Sequence, residues 1–212
     1  MKSRIFLVLW YLLTWFPVPE KVIRDNTTWN REILQPPLWW EGEYIETQHQ
    51  FTSVHFGKGY TLAYGGCGPI ALCNAMLGIG KPLSVDGFLQ MLEELQRRGA
   101  TWFGKFGTHP AALWRYLQGQ SLSTARVIGA DRRRLEGLEQ DADVWITVVF
   151  NGRKLRDQLH IVCITRTPEG RFVPHNAAGK AEYATLEESI LHISAQGATP
   201  IYTIGVRSKP GA

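Results

Sequence analysis

From Cys67 onward, apolar residues return at Ile70, Leu72, Cys73, Met76 and Leu77 until Gly78 and Gly80 interrupt them, a spacing that predicts a buried helix. A second helix is bounded by Ser84 as its N-cap and by Arg97, Arg98 and Gly99 at its end, with Phe88, Met91, Leu92 and Leu95 as the apolar stripe. A third runs from Thr108 to Gly119 with Pro110 in its first turn. Beyond residue 120 the period shortens. A helix from about Asp131 to Gln140 leads into "VWITVVF" at 144–150, whose nearly unbroken apolar run suits a central strand. "QLHIVCITR" is another strand, and the turn "TPEG" at 167–170 joins it to "RFVPHN" as an antiparallel hairpin. Thr185 and Glu188 form a capping box for a helix expected to end near Gly197, and "PIYTIGV" is the last strand. Residues 20–50 read as an extended arm that bends at "QPPLWW", and 51–64 as strand and turn with Gly57 and Gly59. Helices fill the first half and antiparallel strands the second, so the expected class is α+β with segregated layers.

A chain of 212 residues supports one substantial core. The reading is one domain over 51–212, preceded by a Trp-rich segment over 1–50 that packs on it or anchors it. With 44% hydrophobic and 20% charged residues and no low-complexity tract, the composition excludes disorder as the main state. Trp10, Trp15, Trp39 and Trp40 all lie in the first forty residues, which implies that this segment is held down by aromatic burial. The net charge of +4 is mild, and the cluster "RRR" at 132–134 lacks interleaved aromatics, so it reads as a solvated helix face and no nucleic-acid partner is expected. Lys2 and Arg4 followed by "IFLVLWYLLTWF" resemble the start of a signal peptide, but no small-residue cleavage site follows and the run is shorter than the ~20 residues a membrane span needs. A packed helix and a signal or anchor both stay open. Contact with a membrane through residues 1–16, and the location of the protein, stay open with them.

Three cysteines, Cys67, Cys73 and Cys163, cannot all pair with one another, and no two share a metal-ligand spacing, so neither a disulfide framework nor a metal site is expected. Cys67 stands in "YGGCGPIALCNAM", at the mouth of the first helix. There it meets the positive end of the helix dipole and unsatisfied backbone N–H groups, which favour thiolate over thiol. Beside an imidazolium such a cysteine can fall from ~8.5 to roughly 3.5–7.5 and become a nucleophile at neutral pH. Its own N–H is free to stabilise a developing oxyanion. Gly65 and Gly66 would let a substrate approach the backbone, and Trp102, in the aromatic loop "TWFGKFG", could line its groove. A small buried cysteine in a glycine-rich turn is the blander reading of the same stretch. His160 lies in a strand among aliphatic residues and needs a partner; Asn176 should fall one hairpin strand away, where its side-chain oxygen could accept the imidazole N–H. Cys73 and Cys163 read as core, His175 as a hydrogen-bonded surface residue on the opposite face, and His109 as a capping or exposed residue.

The chain order of cysteine, histidine and asparagine, with "CGP" opening the nucleophile helix, "HIVCI" for the histidine strand and "HNAAG" after it, resembles the papain-like cysteine peptidases. Within them it is most similar to the branch of the bacteriocin leader-processing peptidase domains. The resemblance spans roughly Gly59 to Val206. It implies a papain-like α+β fold, a helical N-terminal half carrying the nucleophile helix packed on a C-terminal antiparallel sheet. It also implies hydrolysis of a peptide or amide bond through a thioester acyl-enzyme, a peptide or protein substrate and no cofactor. Cys67 would then be the nucleophile, His160 the general base and acid, and Asn176 the orienting residue. Two positions depart from the family. Its oxyanion glutamine, shortly before the cysteine, is replaced by Thr61, so the second donor falls to Gln48 or Gln50 upstream, with Gln50 and Tyr64 as the candidates; and Ala177 stands where the branch often has proline. The same triad also serves an acyltransferase or transglutaminase-like enzyme, and the missing glutamine leaves room for an inactive peptide-binding module.

Overall fold

The computed structural model describes residues 2–35, 42–151, 159–178, 181–194 and 198–208. Five strands form one antiparallel sheet in the order β1-β5-β2-β3-β4, with β1 Ser123–Ile128, β2 Val144–Phe150, β3 Leu159–Arg166, β4 Phe172–His175 and β5 Thr199–Arg207. The apolar run of β2 occupies the centre, as its sequence demanded, and all but its last residue are buried. β3 and β4 form the expected hairpin, closed by Thr167 N–H to the Arg171 carbonyl, with Gly170 at φ +81°.

Strand alternation sorts the sheet into two apolar faces. Ile146, Val148, Ile161, Cys163 and Ile204 pack with α4 Cys67–Gly78, α5 Val85–Arg98 and α6 Pro110–Gly119. Trp145, Val149, Val162 and Ile164 pack with α7 Arg132–Asp141 and α8 Leu186–Leu191. The fold is therefore α+β, with the nucleophile-candidate helix α4 laid on the antiparallel sheet. The caps follow the expected chemistry: Ser84 accepts from Gly87 N–H, Asp131 from Arg134 N–H and Thr185 from Glu188 N–H. α8 stops at Leu191, short of the expected Gly197, which lies outside the described residues, as do Trp39, Trp40 and most of the "QPPLWW" bend.

The N-terminal third departs from its sequence reading. Residues 20–50 are not an extended arm throughout: Glu20–Ile33 form a helix, α2, whose buried residues are Ile23, Asn26 and Asn30. Two asparagines on the inner face erase the apolar period. Each is satisfied: Asn26 Nδ2 donates to the Gly57 carbonyl (3.0 Å) and to Gln96 Oε1 (2.8 Å), while Asn30 donates to the His55 carbonyl and accepts from its N–H. Residues 51–64 form turns, a single bridge between His55 and Thr61 and a short helix, α3 Leu62–Gly65, rather than a strand.

The first helix, α1 Lys2–Leu12, packs on the domain through Leu7 and Trp10. Trp10 Nε1 donates to Thr101 Oγ1 (3.2 Å). His109, the cap of α6, is buried rather than exposed: its Nδ1 accepts from Ala111 N–H and its Nε2 donates to the Leu7 carbonyl (3.1 Å). Among the described residues no single helix is long and apolar enough to cross a membrane.

Candidate active site

Cys67 opens α4 directly after the short helix α3. The turn between them is so tight that a Cβ on Gly66 would lie 2.4 Å from the Leu62 carbonyl oxygen, and one on Gly65 would lie 3.1 Å from that of Gly104. Packing against α3 and the loop 101–107 requires glycine at both positions. The half-buried Cys67 thiol is pushed up by its burial, and this is opposed by the backbone N–H groups of Ile161, Gly68 and Cys67 itself. The last two are the orphan donors of the helix mouth. The Ile161 N–H has a different origin. Pro174 has no N–H, so its pairing with Ile164 is of the non-hydrogen-bonded kind, and residues 163 and 165 face β4 with their polar groups. By alternation Ile161 faces the same way, but the ladder ends at Cys163 and His175, which leaves its amide for the thiol.

His160 is the neighbour of that amide. Its Nε2 donates to the backbone carbonyl of Asn176 at 2.5 Å, which fixes the tautomer and leaves Nδ1 as the basic atom. Burial holds the imidazole below its usual range; the Asn176 carbonyl pulls the other way, and the charge of nearby His49 adds to the lowering. The thiol and the ring thus reach the same edge of β3, beyond the end of β4. No hydrogen bond joins the two among the described residues.

Asn176 reaches His160 with its main chain, not with its side chain as the sequence suggested. The residue sits at φ +59°, in the left-handed region that asparagine tolerates, and is buried. Its amide group turns instead to Gln48: Oδ1 accepts from the Gln48 N–H (2.9 Å) and Nδ2 donates to Gln48 Oε1 (3.2 Å). Gln48 in turn donates from Nε2 to the Ala63 carbonyl (3.0 Å) in α3. One side chain therefore ties the segment before Cys67 to the loop that holds the histidine.

Gln48 is delivered by residues 44–48, which cross α4 and β4. Asn74 of α4 brackets Ile45, accepting from its N–H (2.8 Å) and donating to its carbonyl (2.9 Å). Tyr44 stacks on the His175 ring at 3.9 Å between centroids, and His175 contacts Glu46 through Nδ1 (3.0 Å) and Thr165 through Nε2 (2.8 Å). His175 is thus a buried tie between the sheet and this segment, not a surface residue. Gln50, two residues after Gln48, is exposed, and Tyr64 is exposed and stacked on Tyr60, so of these upstream side chains it is Gln48 that the fold draws in. Trp102 packs at a tilt against Phe16, with ring centroids 4.7 Å apart. Cys73 is buried and pushed up to about 12, and Cys163 is buried in the sheet with its thiol far above the usual range. A cavity lined by Arg132, Leu135, Glu139 and Thr185, between α7 and α8, lies on the other face of the sheet and holds none of these groups.

No known family profile matches the chain, and no curated protein does. Among solved structures it is similar to the peptidase domain of Streptococcus ComA, a bi-functional ABC transporter involved in a quorum-sensing pathway. The two share 14% identity over 68% of this chain and 91% of that one, with a TM-score of 0.41.

Proposed function

We propose that this chain is a cysteine hydrolase of the papain-like kind, cleaving a peptide or amide bond through a thioester on Cys67. What supports the reading is that Cys67 opens α4, which packs on β3, where the Ile161 amide opposes the effect of burial on the thiol, while the adjacent His160 is held by the Asn176 carbonyl through Nε2. With the thiol raised and the imidazole lowered, the resting pair is neutral. The proton then moves from Sγ to Nδ1 as sulfur attacks the substrate carbonyl; the tetrahedral oxyanion forms beside the Cys67 N–H and Gln48 Nε2; and the imidazolium returns its proton to the leaving amine. Water, activated by the same Nδ1, hydrolyses the thioester and regenerates the thiol.

The test is alkylation with iodoacetamide followed by mass spectrometry of each cysteine. Cys67 is expected to react first, ahead of Cys73 and Cys163, at a rate that climbs through neutral pH and that drops in His160→Ala. Equal reactivity of all three thiols, or indifference of Cys67 to the loss of His160, would overturn the reading and leave a binding module. On a peptide library, Cys67→Ala should be inactive, and products formed with added amines distinguish acyl transfer from hydrolysis.

A further inference from the structure

The outer side of α1 is apolar and bare. Ile5 (54% exposed), Val8 (61%), Leu9 (58%) and Leu12 recur at helical spacing along it, and Trp15 (72%) and Phe16 continue the stripe past its end. The loop 101–107 extends this surface. The Phe103 N–H donates to the Phe16 carbonyl (3.0 Å), the Trp102 ring packs at a tilt against Phe16, and Trp102 and Phe106 are themselves exposed. The inner side of the same helix is fastened by Leu7, Trp10 and His109, so the stripe is held in a fixed orientation. Contiguous apolar surface of this kind marks an interaction site.

The charge around it selects the partner. Residues 1–19 and 99–119 contain no Asp or Glu, although the chain has 19 elsewhere, while Arg4, Lys105 and Arg115 lie within them. Arg4 stands one turn before Val8 on the exposed side of α1, and the Lys105 ammonium lies over the Phe106 ring. An isologous pairing of two copies across this surface would set these cations against one another with no carboxylate on either segment to answer them. A bilayer surface with anionic headgroups matches both features: acyl chains take the aliphatic stripe, the headgroup region takes the tryptophans, and phosphates take the cations. The 11 residues of α1 give a length of about 16 Å against a hydrocarbon core of ~30 Å. A helix so short, fastened on its inner side, lies flat on the surface and does not cross.

We propose that α1 and the loop 101–107 form one platform that seats the protein on an anionic membrane surface, independently of the reaction at Cys67. The experiment is co-sedimentation of the full chain with phosphatidylglycerol-containing vesicles and with pure phosphatidylcholine vesicles, at low and high salt, with light scattering on the free protein. The chain is expected to pellet with the anionic vesicles and to be partly released by salt. Leu9→Glu combined with Trp15→Ser should weaken binding by on the order of tenfold or more, with an unchanged near-UV circular dichroism spectrum. Arg4→Glu combined with Lys105→Glu keeps the apolar stripe and should abolish the preference for anionic lipid. The proposal falls if the chain stays in the supernatant, if the variants pellet like the parent, or if the free protein is a dimer that Leu9→Glu with Trp15→Ser dissociates.

Discussion

Gln48 and Asn176 hold each other at two points, backbone N–H to Oδ1 and Oε1 to Nδ2, so that the loop supporting His160 and the segment preceding Cys67 are joined by one side chain. The asparagine that a sequence reader assigns to the imidazole is in fact its support by main chain and the anchor of a glutamine by side chain. This separates two roles that a single substitution would otherwise confuse.

Because the pair shares its hydrogen bonds, Gln48→Ala and Asn176→Gly should each slow alkylation of Cys67 or turnover of a peptide, and the double variant should be little worse than the poorer single one. Glycine is chosen at 176 because it accepts φ +59° and leaves the carbonyl where His160 needs it. The coupling expected from the double-mutant cycle is on the order of 1 kcal/mol. Strictly additive losses would show that the two side chains act separately.

His109 makes the packing of α1 sensitive to acid. Burial holds its pKa down to about 4, the Leu7 carbonyl opposes this, and Arg115 on the same helix adds to the lowering; Tyr11 and Trp10 of α1 pack edge-on against the ring. Both ring nitrogens are committed in the neutral form, since Nδ1 accepts from Ala111 N–H. The unfolded chain takes up a proton below its ordinary value of ~6.5, whereas the folded one does so only near 4. Stability is therefore fully present above the first value and lost as pH falls between the two, by up to about 3 kcal/mol. Urea midpoints measured across that interval should decline, and His109→Gln should flatten the decline; an identical slope in the variant would assign the effect to other groups.

Asn26 is the polar pivot under α2. Replacing it by alanine strips the Gly57 carbonyl and Gln96 Oε1 of a buried donor and should cost roughly 1–3 kcal/mol, although alanine is the better helix former. Thr28→Ala, on the exposed side of the same helix, should cost nothing measurable in the same denaturant titration. Equal midpoints for the two variants would contradict the packing described.

The sheet core and α4 were legible from their apolar runs, and α5, α6, α7 and α8 from their start signals, with Ser84, Pro110, Asp131 and Thr185 all standing where their chemistry placed them. The helix α2 was not, because its buried face is built from Asn26 and Asn30, whose partners lie on distant segments. β1 escaped for a different reason: it is an edge strand with Val127 as its one buried residue, so no alternation marks it. Cys67 and His160 could be singled out from local surroundings, a helix mouth and a polar ring among aliphatic neighbours. Gln48 could not be preferred over Gln50, since the choice depends on where Asn74 and His175 fasten the segment upstream.

That fastening works as a ruler. Asn74 reads one residue, Ile45, through both its N–H and its carbonyl, much as a neighbouring strand would, and only two residues separate it from Gln48. A stretch so short offers no slack, so the reach of the glutamine is measured out in whole residues from a fixed peg on the helix that Cys67 opens. Inserting or removing one residue between them would bring a different side chain to the carbonyl of Ala63 while leaving every residue of the sheet and of α4 unchanged.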